Sequence, residues 1–262
     1  MINSKGETLL NLKNKLNEFK VPNSYVFEVK DWQSNSDKIV FEIRKKFKNK
    51  KIIVRSSSKS EDNFLTSAAG KFESILNVDL KNKARVSRAI NKVIKSYNLD
   101  KKKVVREQVL IQEMIGNIKM SGVIFTGENS GNNLYYIINY DDITGLTNTI
   151  TSGSSNYSNK NLYILKKKEK YITSARFKKL IKAIKELEAH FNSISLDIEF
   201  GLTKDDKLYL FQVRSVITKD NFSINHKKFD KKILINFKKI KKIFHSEKNI
   251  NGNYTILSQM TD

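Results

Sequence analysis

The stretch ISLDIEFGLTKDDKLYLFQVR, which runs from Ile194 to Arg214, predicts two β-strands joined by a short polar turn. In the first strand, apolar residues alternate with Asp197 and Glu199, so the two carboxylates share one face. In the second strand, strict alternation puts Gln212 on the same face as two leucines, and Arg214 follows just beyond. Burying such carboxylates makes sense where a divalent cation and phosphate oxygens bind, because Mg²⁺ is held by carboxylates and phosphates and Arg offers phosphates a forked donor. The alternative is an ordinary half-buried hairpin with solvated carboxylates.

Length and composition exclude several classes of protein. A chain of 262 residues can bury a full core, as one large domain or two small ones. No run approaches the roughly 20 apolar residues of a membrane span, and no signal peptide is visible. The absence of Cys excludes disulfides, thiolate metal sites and a Cys nucleophile. We therefore expect a cytoplasmic protein.

The net charge of +22, from 49 Lys and Arg against 27 Asp and Glu, leaves a second kind of function open. Such an excess permits binding to nucleic acid, an anionic membrane or polyphosphate. The basic tail 227–245, which the sequence predicts to be helical, could bind RNA or a membrane surface in the same way. However, the lysines are spread along the chain and no nucleic-acid motif accompanies them, so we expect no specific nucleic acid and no membrane as partner.

Hydrophobic periodicity predicts a chain of mixed helices and strands. Predicted helices are Thr8–Phe19, Asp37–Phe47, Ala84–Tyr97 and Ser174–Phe191. Predicted strands before the final hairpin are Tyr25–Val29, Lys51–Arg55, Phe72–Val78, Val109–Ile115, Ser121–Phe125, Leu134–Ile138 and Asn161–Leu165. The run Lys101–Lys103 marks a solvated connection between two halves. Two polar loops, 56–70 and 141–158, interrupt the pattern, and long loops in compact domains are usually functional.

Several stretches supply groups that bind phosphate. Ser4-Lys5-Gly6 precedes a helix, where backbone N–H groups and a Lys can meet an anion. Arg55 ends a buried strand and opens a Ser-rich turn, and the loop with Gly145 and Ser152-Gly153 could close over a ligand. The three histidines lack metal-site spacing, and neither a nucleophile elbow nor a zinc helix is present.

Taken in order, these stretches resemble the ATP-binding domain of the pyruvate phosphate dikinase and phosphoenolpyruvate synthase family. The opening Ser4-Lys5-Gly6 segment looks like the family's KGANL, and Ile53–Asp62 (IVRSSSKSED) is similar to its VRSSA-x-x-ED. The remaining motifs are Ala68–Val78 (AAGKFESILNV), Val109–Met114 (VLIQEM), Ser121–Gly131 (SGVIFTGENSG), Gly145–Gly153 (GLTNTITSG), and DIEF with LFQVRSV in the hairpin. Seven motifs in the family's order are far more specific than any one of them.

The resemblance implies an α+β, two-lobed ATP-grasp fold of the dikinase N-terminal type, with Mg·ATP bound between the lobes. Residues 1–103 would form the first lobe, 104–218 the second lobe with the Mg·ATP ligands, and 219–262 a basic tail towards a missing phospho-carrier domain. The implied activity is that of a dikinase-type kinase. The β-phosphoryl group of ATP would pass to a carrier His outside this chain and then to a small-molecule acceptor, glutamine or pyruvate, while AMP and phosphate are released.

The resemblance also implies a role for each matching residue. The catalytic residues, which contact the phosphates, would be Lys5, Arg55 and Arg214. The adenine pocket would be lined by Gln112 and Met114. The hairpin residues that hold Mg²⁺ or orient ATP would be Asp197, Glu199 and Gln212, with Glu199 and Gln212 as the metal ligands.

Departures from the family pattern affect the loop and the carrier. Thr147 and Asn148 replace Gly and Glu of the family's GLGE, and Ser215 replaces the Pro after the final Arg. No His here matches the family's carrier motif, so we expect the chain to end before that module. The terminal ILSQMTD resembles a linker of capsule-associated relatives, which favours the branch of the glutamine kinase of capsular phosphoramidate synthesis.

Overall fold

The computed structural model describes residues 4–48, 50–58, 73–127, 134–144, 159–193 and 195–215, together with 235, 236, 238 and 239. Residues 1–220 form one compact unit and residues 221–262 a second. In the second unit the four described residues are helical, and the rest of the predicted basic helix 227–245 lies outside the described residues. Among the described helices, none combines the length and apolar character needed to cross a membrane.

Three of the six α-helices described in the first unit begin at a side-chain cap that the sequence provides. Ser4 caps the first helix, Asn35 the third and Asn82 the fourth, each accepting a hydrogen bond from a backbone N–H in the first turn. The helices are α1 (Lys5–Leu12), α2 (Val29–Ser34), α3 (Ser36–Phe47), α4 (Lys83–Ser96), α5 (Lys101–Val104) and α6 (Ala175–Phe191), with a 3₁₀ helix at Lys166–Tyr171. Helix α1 is shorter than predicted because the chain turns at Asn14, whose φ of 65° is left-handed.

The strands form two antiparallel sheets. The first sheet has the order β1-β4-β2-β3 and consists of β1 (Ser24–Glu28), β2 (Ile52–Ser57), β3 (Ser74–Val78) and β4 (Gln108–Glu113). The second sheet has the order β7-β6-β5-β8-β9 and consists of β5 (Ile118–Phe125), β6 (Tyr135–Asp141), β7 (Asn159–Leu165), β8 (Leu196–Thr203) and β9 (Leu208–Ser215). The α+β class that the sequence predicts is confirmed.

Each sheet has its own hydrophobic core. The first sheet packs with α2, α3 and α4, and the second with α6. Helix α1 joins the two, because Leu9 and Leu12 lie in the second core while Gly6 touches Val26 of the first sheet. Strand β4 lies between β1 and β2. The predicted lobe boundary at residue 103 therefore does not separate the two sheets, because β4 (Gln108–Glu113) follows that residue and still belongs to the first sheet.

A β-bulge in β9 sets the faces of the hairpin. Asp197 pairs with Arg214 and Glu199 with Gln212, but the next residue, Phe200, pairs with Leu210, so Phe211 is an extra residue on β9. The prediction that Gln212 shares a face with Leu208 and Leu210 is therefore wrong. The bulge reverses the alternation, so the leucines stay in the core while Gln212 faces the same side as the carboxylates.

The bulge has a packing partner in Gly201 of β8. A Cβ added at this glycine would lie 2.6 Å from two carbons of the Phe211 ring. The missing side chain is thus what lets the ring pack closely against the neighbouring strand.

Candidate functional site

The first pair of the site lies within the β8–β9 hairpin. Asp197 is only 6% exposed, and its Oδ2 accepts hydrogen bonds from Nε of Arg214 at 2.7 Å and from Nη2 at 2.6 Å. Burial raises the pKa of Asp197, and the charge and hydrogen bonds of Arg214 offset part of that rise. Both residues lie on the face of the hairpin that also carries Glu199 and Gln212.

The second pair joins the two sheets. Arg55 extends from β2, and its Nη2 lies 2.7 Å from Oε2 of Glu199 on β8 and 3.3 Å from Oε1 of Gln212 on β9. Burial alone would raise the pKa of Glu199, but the Arg55 guanidinium, with Lys5 and Arg214 farther off, more than reverses this and the pKa is lowered. Glu199 is therefore an ionised carboxylate at neutral pH.

Lys5 reaches the same cluster from the first turn of α1. Its charge lowers the pKa of both Asp197 and Glu199, which places it within electrostatic range of the two carboxylates. Helix α1 contacts β9 as well as β1 and β4 of the first sheet. Two N–H groups of this turn are already hydrogen-bonded, that of Gly6 to Oγ of Ser57 and that of Glu7 to Oγ of Ser4, so the turn contributes to the cluster through the charge of Lys5.

Gln112 lies beside Arg55. The bulge carbonyl of Phe211 accepts from Nε2 of Gln112 at 3.4 Å and from Nη1 of Arg55 at 3.5 Å, both long contacts. Gln112 is fully buried, and its Oε1 is one of three buried side-chain atoms without a hydrogen-bond partner among the described residues. An unpaired buried acceptor is costly, which is typical of a site that expects a donor from a ligand.

Met114 lies at a different place. Its N–H donates to the carbonyl of Lys51 at 3.0 Å, and its side chain lines a cavity of about 470 Å³ with Gly116, Tyr209 and the turn between β8 and β9. The lining residues of this cavity do not include Gln112. That Gln112 and Met114 line one adenine pocket stays a prediction.

The donor set fits Mg²⁺ held together with phosphates. Asp197, Glu199 and Gln212 offer carboxylate and amide oxygens, which are the hard ligands that Mg²⁺ prefers. In the described part of the chain no group of three or more His, Cys, Asp or Glu could form an all-protein metal cage. The oxygens present suit an ion that takes its other ligands from substrate phosphates and water.

A network of side chains that the sequence analysis did not identify surrounds the first turn of α1. Gln108 and Tyr97 contact residues on both sides of Lys5, directly or through Ser57. In the sequence, Tyr97 belongs to the apolar stripe of the predicted helix Ala84–Tyr97, and only its hydroxyl indicates a polar partner.

The structure therefore brings together seven of the eight predicted site residues. These are Lys5, Arg55, Gln112, Asp197, Glu199, Gln212 and Arg214. The predicted loop residues Gly145, Thr147, Asn148 and Ser152-Gly153, and most of the Ser-rich loop 56–70, lie outside the described residues. The roles predicted for these residues, including catalysis by Lys5, Arg55 and Arg214, stay predictions.

Comparison with known protein families supports the fold and the ligand. Residues 30–156 match the family described as pyruvate phosphate dikinase, AMP/ATP-binding domain. This stretch includes Arg55 and Gln112 but not the β8–β9 hairpin. The chain thus contains a region similar to that ATP-binding domain, and its fold is of the ATP-grasp class. No curated protein matches the sequence.

Solved structures of ligases have a similar arrangement of elements. The D-alanine–D-alanine ligase from Helicobacter pylori is 11% identical, with a TM-score of 0.45, and the match covers 80% of this chain and 50% of that one. For the VanG D-Ala:D-Ser ligase from Enterococcus faecalis the identity is 12%, the TM-score 0.46, and the coverage 80% and 52%. The chain spans about half the length of these structures.

Proposed function

We propose that this chain is the ATP-binding part of a dikinase-type phosphotransferase. The β-phosphoryl group of ATP would pass to a carrier His outside this sequence and from there to glutamine or pyruvate, while the γ-phosphoryl group would pass to water and leave as phosphate, and AMP would be released. The observation that carries the proposal is the cluster itself. Three cations and two carboxylates from α1, β2 and the β8–β9 hairpin converge, in a chain that is similar to a family of ATP-binding domains.

The residues present are those that phosphoryl transfer requires. This chemistry depends on positioning and on stabilising negative charge, so cations and a metal site suffice without a protein nucleophile. Lys5, Arg55 and Arg214 would bind phosphate oxygens, and Glu199 with Gln212 would hold Mg²⁺. The ion, when bound, neutralises phosphate charge.

The observed ion pairs indicate how the residues would respond to a phosphate. Arg55 already divides its guanidinium between Glu199, Gln212 and the bulge carbonyl, so a phosphate oxygen can replace one of these acceptors. Arg214 has a side chain that is 31% exposed while Asp197 behind it is buried. A phosphate would therefore approach Arg214 from the open side, with Asp197 fixing the guanidinium from behind.

The test is a calorimetric titration of the purified chain with ATP, with and without Mg²⁺, at moderate salt. We expect saturable binding that depends on Mg²⁺ and weakens at least roughly tenfold in Arg214→Ala, since hydrogen bonds to charged groups contribute about 1.5–3 kcal/mol. Arg88→Ala is the matched control, because it removes the same charge from an exposed position on α4. Equal affinity in both variants would contradict the site.

Two further measurements separate the alternatives. If the protein acted through its basic charge alone, it would bind heparin, an unrelated polyanion, with an affinity that falls steeply with salt, and it would not bind Mg·ATP. In the polypeptide that contains the carrier His, stimulation of AMP release by glutamine rather than pyruvate would identify the acceptor. Stimulation by neither would contradict both acceptors.

A further inference from the structure

Tyr97, the residue that directly follows the neighbouring helix α4, closes the end of the β2–β4 ladder. Its hydroxyl accepts a hydrogen bond from the N–H of Ser57 at 3.0 Å and donates one to the carbonyl of Gln108. Ser57 and Gln108 are opposite each other in the strand register, and Tyr97 is only 3% exposed. A single buried hydroxyl thus satisfies two backbone groups, two residues beyond Arg55 on the same strand.

Ser57 then contacts the first turn of α1. Its side-chain Oγ accepts a hydrogen bond from the N–H of Gly6 at 2.9 Å. A Cβ at Gly6 would lie 3.1 Å from that oxygen and 2.5 Å from Val26, so the helix backbone rests directly on the sheet. Gly6 follows Lys5, and its fixed position constrains the Cα of that lysine.

Gln108 holds the same turn from the other side. Its Oε1 accepts from the hydroxyl of Ser4 at 2.7 Å, and its Nε2 donates to Oε1 of Glu7 at 2.7 Å. Residues 4, 6 and 7 are therefore all hydrogen-bonded to the end of the β2–β4 ladder, and Lys5 lies between them. Ser4 and Gln108 are almost fully buried, so the bond between them is shielded from water, while the bond to Glu7 is partly buried.

We propose that Tyr97 and Gln108 are positioning residues that set the place of Lys5 and Arg55, and through them the affinity for phosphate. This inference rests on the proposed function. The hydrogen bonds of Tyr97 and Gln108 described above hold Ser57 on the strand of Arg55 and Ser4 and Glu7 on either side of Lys5, and so fix the backbone from which the two cations extend. A side chain that binds phosphate from a held backbone loses less freedom on binding, so looser anchoring should weaken binding.

Tyr97→Phe is the sharpest test, because it removes one oxygen and keeps the ring in the core. It leaves the N–H of Ser57 and the carbonyl of Gln108 without their buried partner. We expect affinity for Mg·ATP to fall roughly tenfold while affinity for adenosine, which has no phosphate, stays the same. Tyr163→Phe is the matched control, because Tyr163 is 61% exposed on β7.

Gln108→Leu tests the other half of the network and serves if Tyr97→Phe fails to fold. It removes the bonds to Ser4 and Glu7 and should give the same split between Mg·ATP and adenosine. A double-mutant cycle then pairs each variant with Lys5→Ala. Because the hydrogen bonds of Tyr97 and Gln108 act partly through Lys5, removing them should weaken Mg·ATP binding less in the Lys5→Ala protein than in wild type. We expect the fold-change in affinity to be smaller by threefold or more.

The outcomes are distinguishable. Wild-type protein that does not bind Mg·ATP would overturn the proposed function and this inference with it. Wild-type binding, with Tyr97→Phe and Gln108→Leu unchanged within twofold, would overturn the inference alone. Equal losses for adenosine and Mg·ATP, or effects fully additive with Lys5→Ala, would indicate a general structural role and overturn it too.

Discussion

Gly201→Ala should destabilise the protein through the Phe211 bulge. The new Cβ would lie 2.6 Å from two ring carbons, whereas ordinary contacts are 3.4–4 Å, so the ring must retreat by about 0.8 Å. Phe211 is only 8% exposed and has little room to move. Overpacking of this kind costs about 1–3 kcal/mol. Because the Phe211 carbonyl accepts from Arg55 and Gln112, affinity for Mg·ATP should fall as well.

The assay is urea unfolding followed by circular dichroism, with the free energy of unfolding compared between variants. Gly116→Ala is the matched control, since a Cβ there meets nothing within 4 Å, and it should leave stability unchanged or raise it by about 0.4–1 kcal/mol. Adding Phe211→Leu to Gly201→Ala should recover part of the loss, because the smaller side chain relieves the contact. A Gly201→Ala protein as stable as wild type would refute the packing argument.

Three other substitutions test the site and its surroundings. Gly6→Ala would bring a Cβ to 2.5 Å from Val26, so the free energy of unfolding should fall by about 1–3 kcal/mol, and adding Val26→Ala should restore part of it. An unchanged free energy of unfolding would contradict the close approach. The pKa of Glu199 is held below its ordinary 4.5, so its carboxylate stabilises the fold above that value, and the stabilisation is lost as pH falls through the lowered pKa. Glu199→Gln should therefore lose less stability than wild type as the pH of the unfolding assay falls below the ordinary pKa of 4.5. Parallel curves of unfolding free energy against pH would count against the pairing. The Tyr136 hydroxyl donates to Glu188 at 2.9 Å, and the pKa of its phenol is raised first by burial and then by Glu188. Tyr136→Phe should lower the free energy of unfolding by about 1 kcal/mol below the ordinary pKa of 10.0, and this difference from wild type should shrink as pH rises above that value. Affinity for Mg·ATP, measured by titration at neutral pH, should be unchanged.

Periodicity alone predicted which side chains of the first strand of the hairpin share a face. Asp197 and Glu199 follow the period of two, and β8 has no irregularity between them. The same pattern could not predict the face of Gln212, because nothing in LFQV marks an extra residue. The physical signal is Gly201, whose missing side chain accommodates the Phe211 ring. It becomes visible only when the two strands are paired.

The sequence likewise predicted Arg55 as a site residue without predicting its partners. Its position at the end of an apolar strand followed from composition, but its contact with Glu199 joins residues 144 positions apart. Gln112 shows the same limit, since alternation along β4 cannot reveal that it meets a carbonyl from the other sheet. The hydrogen bonds of the Tyr97 hydroxyl could not be predicted, because a Tyr in an apolar stripe indicates only that its ring is buried.

The two ion pairs differ in what a ligand can do to them. Arg214 and Asp197 belong to one hairpin, so their pairing is independent of the spacing between the sheets, whereas Arg55 and Glu199 come from different sheets. An anion that pairs with Arg55 in place of Glu199 would leave this carboxylate without its cation and close to a second negative charge. This is unfavourable because the Glu199 side chain is only 24% exposed to solvent. A ligand that brings a divalent cation together with phosphates satisfies Glu199 and Arg55 at once. We therefore expect Mg·ATP to bind more tightly than free ATP, and Glu199→Gln to narrow that difference by raising the affinity for the free nucleotide.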